Sequence, residues 1–269
     1  VADSPPNPAP IIWLASYPKA GNTWVRYLLY SYFFGPPAST DDLTRRVPDL
    51  HLPGALDRAE AHGGRLFVKS HFMRSHLHPF IERTGGFVYV ARNPADMLLS
   101  NLRYRPLLYA AGTQQRVDDA AYALEFVRGG GDSRWYAMGY GTILEHAESW
   151  LGAPGDVPHA VVRYEDLKAD AAGALARVLG ALRIEADLGR CEAAARVSSF
   201  EQMRAAEVRE KRSKASDAVF NGTRAGMAKG LLFMRSGQSG QSLDTIRPGL
   251  DEALRRRLKP YYERFGYAD

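Results

Sequence analysis

The sequence predicts a single α/β domain in which helices flank a central parallel β-sheet, and three observations predict it. Short apolar runs rich in Val, Ile and aromatic residues recur along the chain, bounded by Gly, Pro or charged residues, as buried strands are. Helical patterns alternate with them, which implies parallel pairing through right-handed crossovers. The first run also meets a short glycine-containing turn and then a helix, and ligands of such sheets gather at the carboxyl ends of the strands.

The first apolar run is Ile11 to Ala15, and a helix over Trp24 to Phe34 follows it. Leu66 to Val68, Phe87 to Ala91 and Ala160 to Arg163 are the next strands, each leading into a helical pattern. Pro94 to Arg103 reads as a helix with Asn93 as N-cap and Pro94 at its first position, and Ala171 to Ile184 as another. The middle of the chain differs: RGGGDSRWYAMGYGTILEHAESWL is dense in Tyr, Trp and Gly and suits the lining of a pocket. From about Val208 to Arg247, GTRAGMAKG and RSGQSGQS are too glycine-rich for regular structure. DEALRRRLKPYYERFGY is amphipathic, with Leu250, Leu254 and Leu258 on one face, and can pack on its own sheet or on a neighbour's in a homodimer.

With 269 residues, 45% of them hydrophobic and 24% charged, one well-buried domain over residues 11–269 accounts for the chain, after a loose arm at residues 1–10. A net charge of +5 suits an anionic ligand but is too mild and dispersed to argue for nucleic acid. The basic run VREKRSK reads as a solvated loop or helix face. Cys191 is the only cysteine, so no intramolecular disulfide and no cysteine-based zinc site can form, which fits a reducing cytoplasm. No apolar stretch approaches the roughly 20 residues that span a bilayer, and VADSPPNPAP lacks the pattern of a signal peptide.

Chemistry collects in three places. In SYPKAGNTW, a glycine lets the backbone approach a bound group, and the next helix aims unpaired N–H groups and its dipole at an anion. Phosphate, sulfate or a capping side chain would each satisfy those donors. The geometry is not that of a Walker A loop, because Lys19 precedes Gly21 by two positions and Ala15 stands where a first glycine belongs. In RLFVKSHF, Lys69 and His71 lie just past a strand, and a positioned imidazole can take a hydroxyl proton. His76 and His78 follow, but a three-histidine metal site would draw every ligand from one loop and helix start, and incidental histidines on a surface helix are the better reading. In GGFVYVARNPADMLLSNLRYR, Arg92 ends a strand and Ser100 lies two turns into the next helix, so both can grip one phosphate; a helix cap and a surface arginine would explain the stretch standing alone.

Taken in order, these stretches resemble the sulfotransferases that use 3′-phosphoadenosine 5′-phosphosulfate (PAPS), over about Ile11 to Gln241. The family's Y-P-K-[SA]-G-[TN]-T-W loop is matched by Tyr17, Pro18, Lys19, Ala20, Gly21, Asn22, Thr23 and Trp24. Its K-[ST]-H element is matched by Lys69 and His71, and its R-[ND]-P-x-D-x-x-x-S element by Arg92, Asn93, Pro94, Asp96 and Ser100. VVRYEDLKAD and VSSFEQM resemble its adenosine-side segments through Tyr164, Ser199, Phe200 and Met203. The late R-K-G-x-x-G-[DE]-W loop keeps Arg235, Gly237 and Gly240, but Ser236 replaces the lysine and Ser242 the tryptophan. One cationic contact to the 3′-phosphate is thereby lost unless Arg235 or the VREKRSK run makes it good.

The resemblance implies a P-loop-like nucleotide-binding sulfotransferase fold. Its reaction would pass a sulfuryl group in line to an acceptor hydroxyl, with His71 as general base and adenosine 3′,5′-bisphosphate (PAP) as product. It implies that Thr23, Lys19 and backbone N–H groups hold the 5′-phosphate, that Lys69 steadies the sulfate oxygens, and that Trp24 sits near the adenine. The migrating group carries less charge than a phosphoryl group, so no metal is expected to be required. Tyr104, Tyr109, Trp135, Tyr136 and Tyr140 suggest an aromatic-walled pocket for a small hydroxylated acceptor, although core packing would account for the same residues. The short chain without a membrane anchor points to a small acceptor over a glycan, with no nucleic acid or membrane as partner. The rivals are a P-loop-type kinase or nucleoside-phosphate transferase, which would show a Walker A glycine–lysine pair and a metal-binding carboxylate beyond Glu165 and Asp166, and a non-catalytic polyanion-binding module.

Overall fold

The computed structural model describes residues 8–110, 118–152, 155–213, 219–220, 224–235 and 237–267. Four parallel strands form one sheet in the order β2-β1-β3-β4, where β1 is Ile11–Ala15, β2 Leu66–Ser70, β3 Thr84–Ala91 and β4 His159–Arg163. Ala15 lies beside Ser70 and Tyr89, and Ala91 beside Arg163, so the carboxyl ends share one edge.

Alternation along the strands divides the core in two. Ile11, Trp13, Val68, Phe87 and Tyr89 enter one cluster, while Ile12, Leu14, Phe67, Val88 and Val90 enter the other. Both faces of the inner strands are therefore buried, which is why their sequences are apolar without a polar face. The helix Asn22–Phe34 covers the second cluster, and the first is completed by Leu250 and Leu254 of the helix Leu250–Arg257 and by Leu258 at its junction with the helix Lys259–Phe265. That leucine stripe is thus spent on its own sheet.

The topology creates the site. From β1 the chain crosses to β2 on one side, whereas from β3 it crosses to β4 on the other. The loops leaving β1 and β3 diverge and open a crevice at the carboxyl edge.

Several expected features differ. The connection from β2 to β3 contains turns and the 3₁₀ turn Ile81–Arg83 but no α-helix. Pro79 lies in this connection and disfavours a helix there. His78 is consequently not a surface residue: its Nε2 lies 2.9 Å from Ser70 Oγ, and its ring meets Trp13 edge-on at 4.5 Å. Lys69 lies within β2 rather than beyond it. The helix from Pro94 runs to Ala110, through Pro106. The basic run is not solvated either. Its first residues belong to the helix Phe200–Ser213, where Lys211 pairs with Glu207 and both side chains are buried. Glu207 also accepts from the backbone N–H groups of Phe233 at 2.7 Å and Met234 at 2.8 Å, anchoring the stretch expected to be irregular. Lys214 and most of the N-terminal arm lie outside the described residues. Among the described residues no helix is long and apolar enough to cross a membrane.

Removing one partner of a buried ion pair strands the other charge. Lys211→Met should therefore lower stability by about 3 kcal/mol, read from the midpoint of urea unfolding. A loss well below ~1 kcal/mol, the range of surface pairs, would contradict the anchoring role.

Candidate active site

The turn after β1 is shaped by backbone geometry that few residues tolerate. Gly21 has φ 107°, and a Cβ there would lie 2.6 Å from the Tyr164 ring, so only glycine fits. Lys19 is itself left-handed, with φ 71°. Gly21 forms the N-cap of the helix Asn22–Phe34, and no side chain caps that end. Its first N–H groups and the positive end of its dipole therefore face the crevice. The Asn22 side chain is used structurally, donating to the Leu14 carbonyl at 2.7 Å and to Ser16 Oγ at 3.1 Å.

Lys19 reaches back over two rings, its Nζ 4.1 Å from the centroid of Tyr104 and 4.2 Å from that of Phe233. Burial, with help from Arg92, Lys69 and Arg134, pushes its amine down to about 7. Trp24 stands edge-on to Tyr164 at 5.4 Å, and its buried Nε1 has no partner among the described residues.

His71 is held at three points. Its backbone N–H donates to His51 Nε2 at 2.8 Å, its carbonyl lies 3.1 Å from His146 Nε2, and its Nδ1 lies 2.7 Å from the Ser16 carbonyl. A carbonyl only accepts, so Nδ1 carries the proton and the Nε2 lone pair is left available. Burial first, then Lys69 and His51, hold the imidazole well below its ordinary range and keep it neutral. Beside it, Lys69 Nζ is 2.6 Å from Asp49 Oδ2. Burial pushes the Asp49 carboxyl up, but Lys69, Arg26 and His51 together hold it well below the usual carboxylate range, so the pair is ionised. Lys69 thus has a fixed counterion that the sequence did not reveal.

At the start of the helix Pro94–Ala110, Arg92 extends across the mouth of the first turn. Its guanidinium donates to the carbonyls of Lys19 at 3.1 Å and Gln238 at 2.9 Å, and lies 4.1 Å over the Tyr164 ring. Its buried Nε has no partner among the described residues. Arg103, one turn beyond Ser100, donates to the Gln241 side chain, and Arg235 donates to the Arg103 carbonyl at 2.8 Å. Burial and the neighbouring charges of Arg92 and Arg235 pull the Arg103 guanidinium down. These cations repel one another, and a bound anion would relieve that repulsion.

One cavity of about 500 Å³ joins these groups. Pro18, Lys19, Gly21, Asn22, Thr23, Trp24, Lys69, His71, Arg92, Ser100, Tyr164, Phe200, Met203, Arg235 and Gly237 all line it. Tyr17, Ala20 and Ser199 do not. Tyr17 is buried with its hydroxyl accepting from the Asp132 N–H at 2.8 Å, Ala20 is buried, and Ser199 caps the helix Phe200–Ser213 by accepting from Gln202 N–H at 3.3 Å. Ser236 lies outside the described residues. Ser242, where the resemblance expects tryptophan, bonds Asp251 at 2.5 Å on the surface. Of the aromatic set, Tyr104, Trp135 and Tyr140 line the cavity and Tyr136 is exposed, while the Tyr109 side chain is outside the described set. Asp49, His51, Arg103 and Lys168 also line it and were not singled out by sequence. Glu165 and Asp166 are otherwise engaged, with Tyr267 at 2.7 Å and Arg163 at 2.6 Å. Among the described residues no group of three His, Cys, Asp or Glu side chains could hold a metal ion.

The sulfotransferase domain family matches residues 9–266 of the chain. Among curated proteins, sulfotransferase 4A1 of Mus musculus is 26% identical over 206 residues, covering 71% of this chain and 66% of that protein. Cytosolic sulfotransferase 15 of Arabidopsis thaliana is 29% identical over 220 residues, covering 72% and 58%. The chain therefore spans two thirds of these relatives' length or less. Among solved structures, mouse sulfotransferase SULT7A1 complexed with PAP superposes with a TM-score of 0.62 at 20% identity, covering 92% of this chain and 84% of that one. Retinol dehydratase in complex with androsterone and inactive cofactor PAP gives 0.60 at 18% identity, covering 93% and 80%. At such identities these superpositions establish the fold.

The lowered Lys19 amine gives a direct test. In the free protein it should titrate near pH 7, followed by NMR of ¹³C-labelled lysine, and an anion docked at the helix start should raise that value. Affinity for the anion should then fall as pH rises above 7, where binding must first protonate the amine. Titration at the ordinary lysine value, about 10.4, would contradict the burial described for this side chain.

Proposed function

The chain belongs to the sulfotransferase family, and from that premise we propose that it transfers the sulfuryl group of PAPS to the hydroxyl of a small acceptor, with His71 as general base. One observation carries this reading: Lys19 and Arg92 are joined by a hydrogen bond at the rim of the cavity that the His71 ring also lines.

The residues present fit the nucleotide. An uncapped helix start, a buried lysine and a group of mutually repelling guanidinium groups form two adjacent anion sites. The 5′-phosphate would be held by the N–H groups of the helix start, Thr23 and Lys19, and the 3′-phosphate by Arg92 and Ser100. Arg103 and Arg235 stand where they can supply the charge missing at Ser236. Trp24, Tyr164, Phe200 and Met203 offer an apolar slot for the base, and Trp24 Nε1, which has no partner among the described residues, offers it a donor. When bound, PAPS supplies an electrophilic sulfur whose leaving group is PAP.

His71 Nε2 takes the acceptor's hydroxyl proton while the acceptor oxygen bonds to sulfur and the S–O bond electrons depart with PAP. Because Nδ1–H donates to the Ser16 carbonyl, the imidazolium formed keeps a fixed partner. Lys19 faces the charge that develops on the departing oxygen. Lys69, neutralised by Asp49, contributes less positive charge to the sulfate oxygens than an unpaired lysine would. Tyr104, Trp135 and Tyr140 supply apolar and aromatic surface for the acceptor side.

Incubation with ³⁵S-labelled PAPS and a panel of hydroxylated compounds should move label to an acceptor in step with release of PAP; label confined to polysaccharides, or no transfer, would overturn the reading. His71→Ala should lower turnover by ~10²–10⁴ with nucleotide affinity near wild type, and equal loss of both would show that His71 is not the base. Arg92→Ala should weaken PAP far more than adenosine 5′-phosphosulfate, whereas equal weakening would remove Arg92 from the 3′-phosphate.

A further inference from the structure

The hydrogen bonds around His51 fix a direction that reaches the cavity. The backbone N–H of His71 can only donate, and it does so to His51 Nε2 at 2.8 Å, so that nitrogen carries no proton. Burial, partly offset by Asp49, lowers the His51 imidazole to about 4, so the ring is neutral near pH 7 and its single proton is on Nδ1. Nδ1 lies 2.9 Å from Tyr140 Oη, which must therefore accept. The phenolic proton of Tyr140 is left to point elsewhere, and no acceptor for it occurs among the described residues. Tyr140 lines the cavity, its ring 5.9 Å from that of His71. The ring is held by Trp135, stacked at 6.0 Å, and by Phe72, edge-on at 5.5 Å.

We propose that Tyr140 donates its phenolic hydrogen to the acceptor's nucleophilic atom while His71 Nε2 accepts a proton from that same atom, and that His51 is the positioning residue that sets this polarity. The consequence is selectivity for oxygen over nitrogen nucleophiles. A hydroxyl oxygen has two lone pairs, so it can accept from Tyr140 with one and attack with the other while its O–H bonds His71. A neutral amine has one lone pair, and accepting from Tyr140 consumes the pair it needs to attack. This inference rests on the proposed sulfuryl transfer and adds to it the class of acceptor that the site rejects.

The test compares acceptors that share a skeleton, such as cyclohexanol with cyclohexylamine and a phenol with the matching aniline, under ³⁵S-labelled PAPS. Wild type should favour the hydroxyl, and Tyr140→Phe should lower kcat/KM for it by about 10- to 100-fold while leaving the amine unchanged or improved. An equal loss on both, or none on the hydroxyl, would overturn the proposal. His51→Gln keeps one acceptor and one donor, so it should retain at least about ten times the hydroxyl kcat/KM of His51→Glu, whose carboxylate accepts from both sides and turns the Tyr140 proton inward. Equal losses in the two variants would also overturn it. A readout independent of turnover is ¹⁵N NMR of the histidines at pH 7, assigned with His51→Gln: His51 should be the neutral Nδ1–H tautomer, and an Nε2–H tautomer would refute the polarity. Absence of transfer by wild type to any acceptor would instead count against the sulfotransferase reading, and the NMR result would still decide the direction of the chain.

Discussion

The bond from His71 Nδ1 to the Ser16 carbonyl ties the chemistry to the sheet. Ser16 follows β1 and His71 follows β2, so the contact exists only because these strands are parallel neighbours in register. It sets the imidazole tautomer and so decides which ring nitrogen is left for a substrate. The other two grips on His71, from His51 and His146, use its backbone and leave the ring's second nitrogen untouched. His146 is itself wholly buried and pushed down to about 3 by burial, so it is a neutral strut and not a second base.

The same crowding at the sheet edge shapes the electrostatics. Lys19, Arg92, Arg103 and Arg235 are brought together with Asp49 as the one carboxylate among the described lining residues, and Asp49 is committed to Lys69. The guanidinium groups of Arg92 and Arg235 donate to backbone carbonyls, and the Lys19 amine lies over aromatic faces. Both kinds of contact are weaker than charge-assisted hydrogen bonds to phosphate oxygens. A site arranged this way favours an anionic ligand, and the nucleotide of the proposed reaction is one.

Much of this was legible in the sequence because it is local. The strand Ile11–Ala15 was read with its observed bounds, since a buried inner strand is a pure apolar run. The helix at Pro94 was read from Asn93 and Pro94, and Asn93 does accept from the Ala95 N–H at 2.9 Å. The lysine turn, Arg92 and His71 were singled out because their spacing is carried within short segments, and all of them line the cavity. What escaped is non-local. Asp49 and His51 lie in a plain stretch, PDLHLP, and acquire meaning only when it folds beside β2. The VREKRSK run looked solvated because charge patterning does not show that Glu207 will draw Lys211 inward. The helix expected after β2 is absent, and the chain returns to β3 through turns and the 3₁₀ turn Ile81–Arg83. Tyr17 matched a motif position, yet its side chain serves the Asp132 loop, since a motif fixes the backbone path and not the destination of every side chain.

The central claim is spatial: one nucleotide lies with its 5′ end over the start of the helix Asn22–Phe34 and its 3′-phosphate against Arg92, and the free nitrogen of His71 faces the 5′ end. A crystal structure of the chain with PAP tests it most directly. The account predicts the 5′-phosphate within hydrogen-bond distance of the helix N–H groups and Thr23, the 3′-phosphate within that distance of Arg92 and Ser100, and His71 Nδ1 still on the Ser16 carbonyl. A nucleotide bound in the reverse sense, or bound outside this cavity, would contradict it.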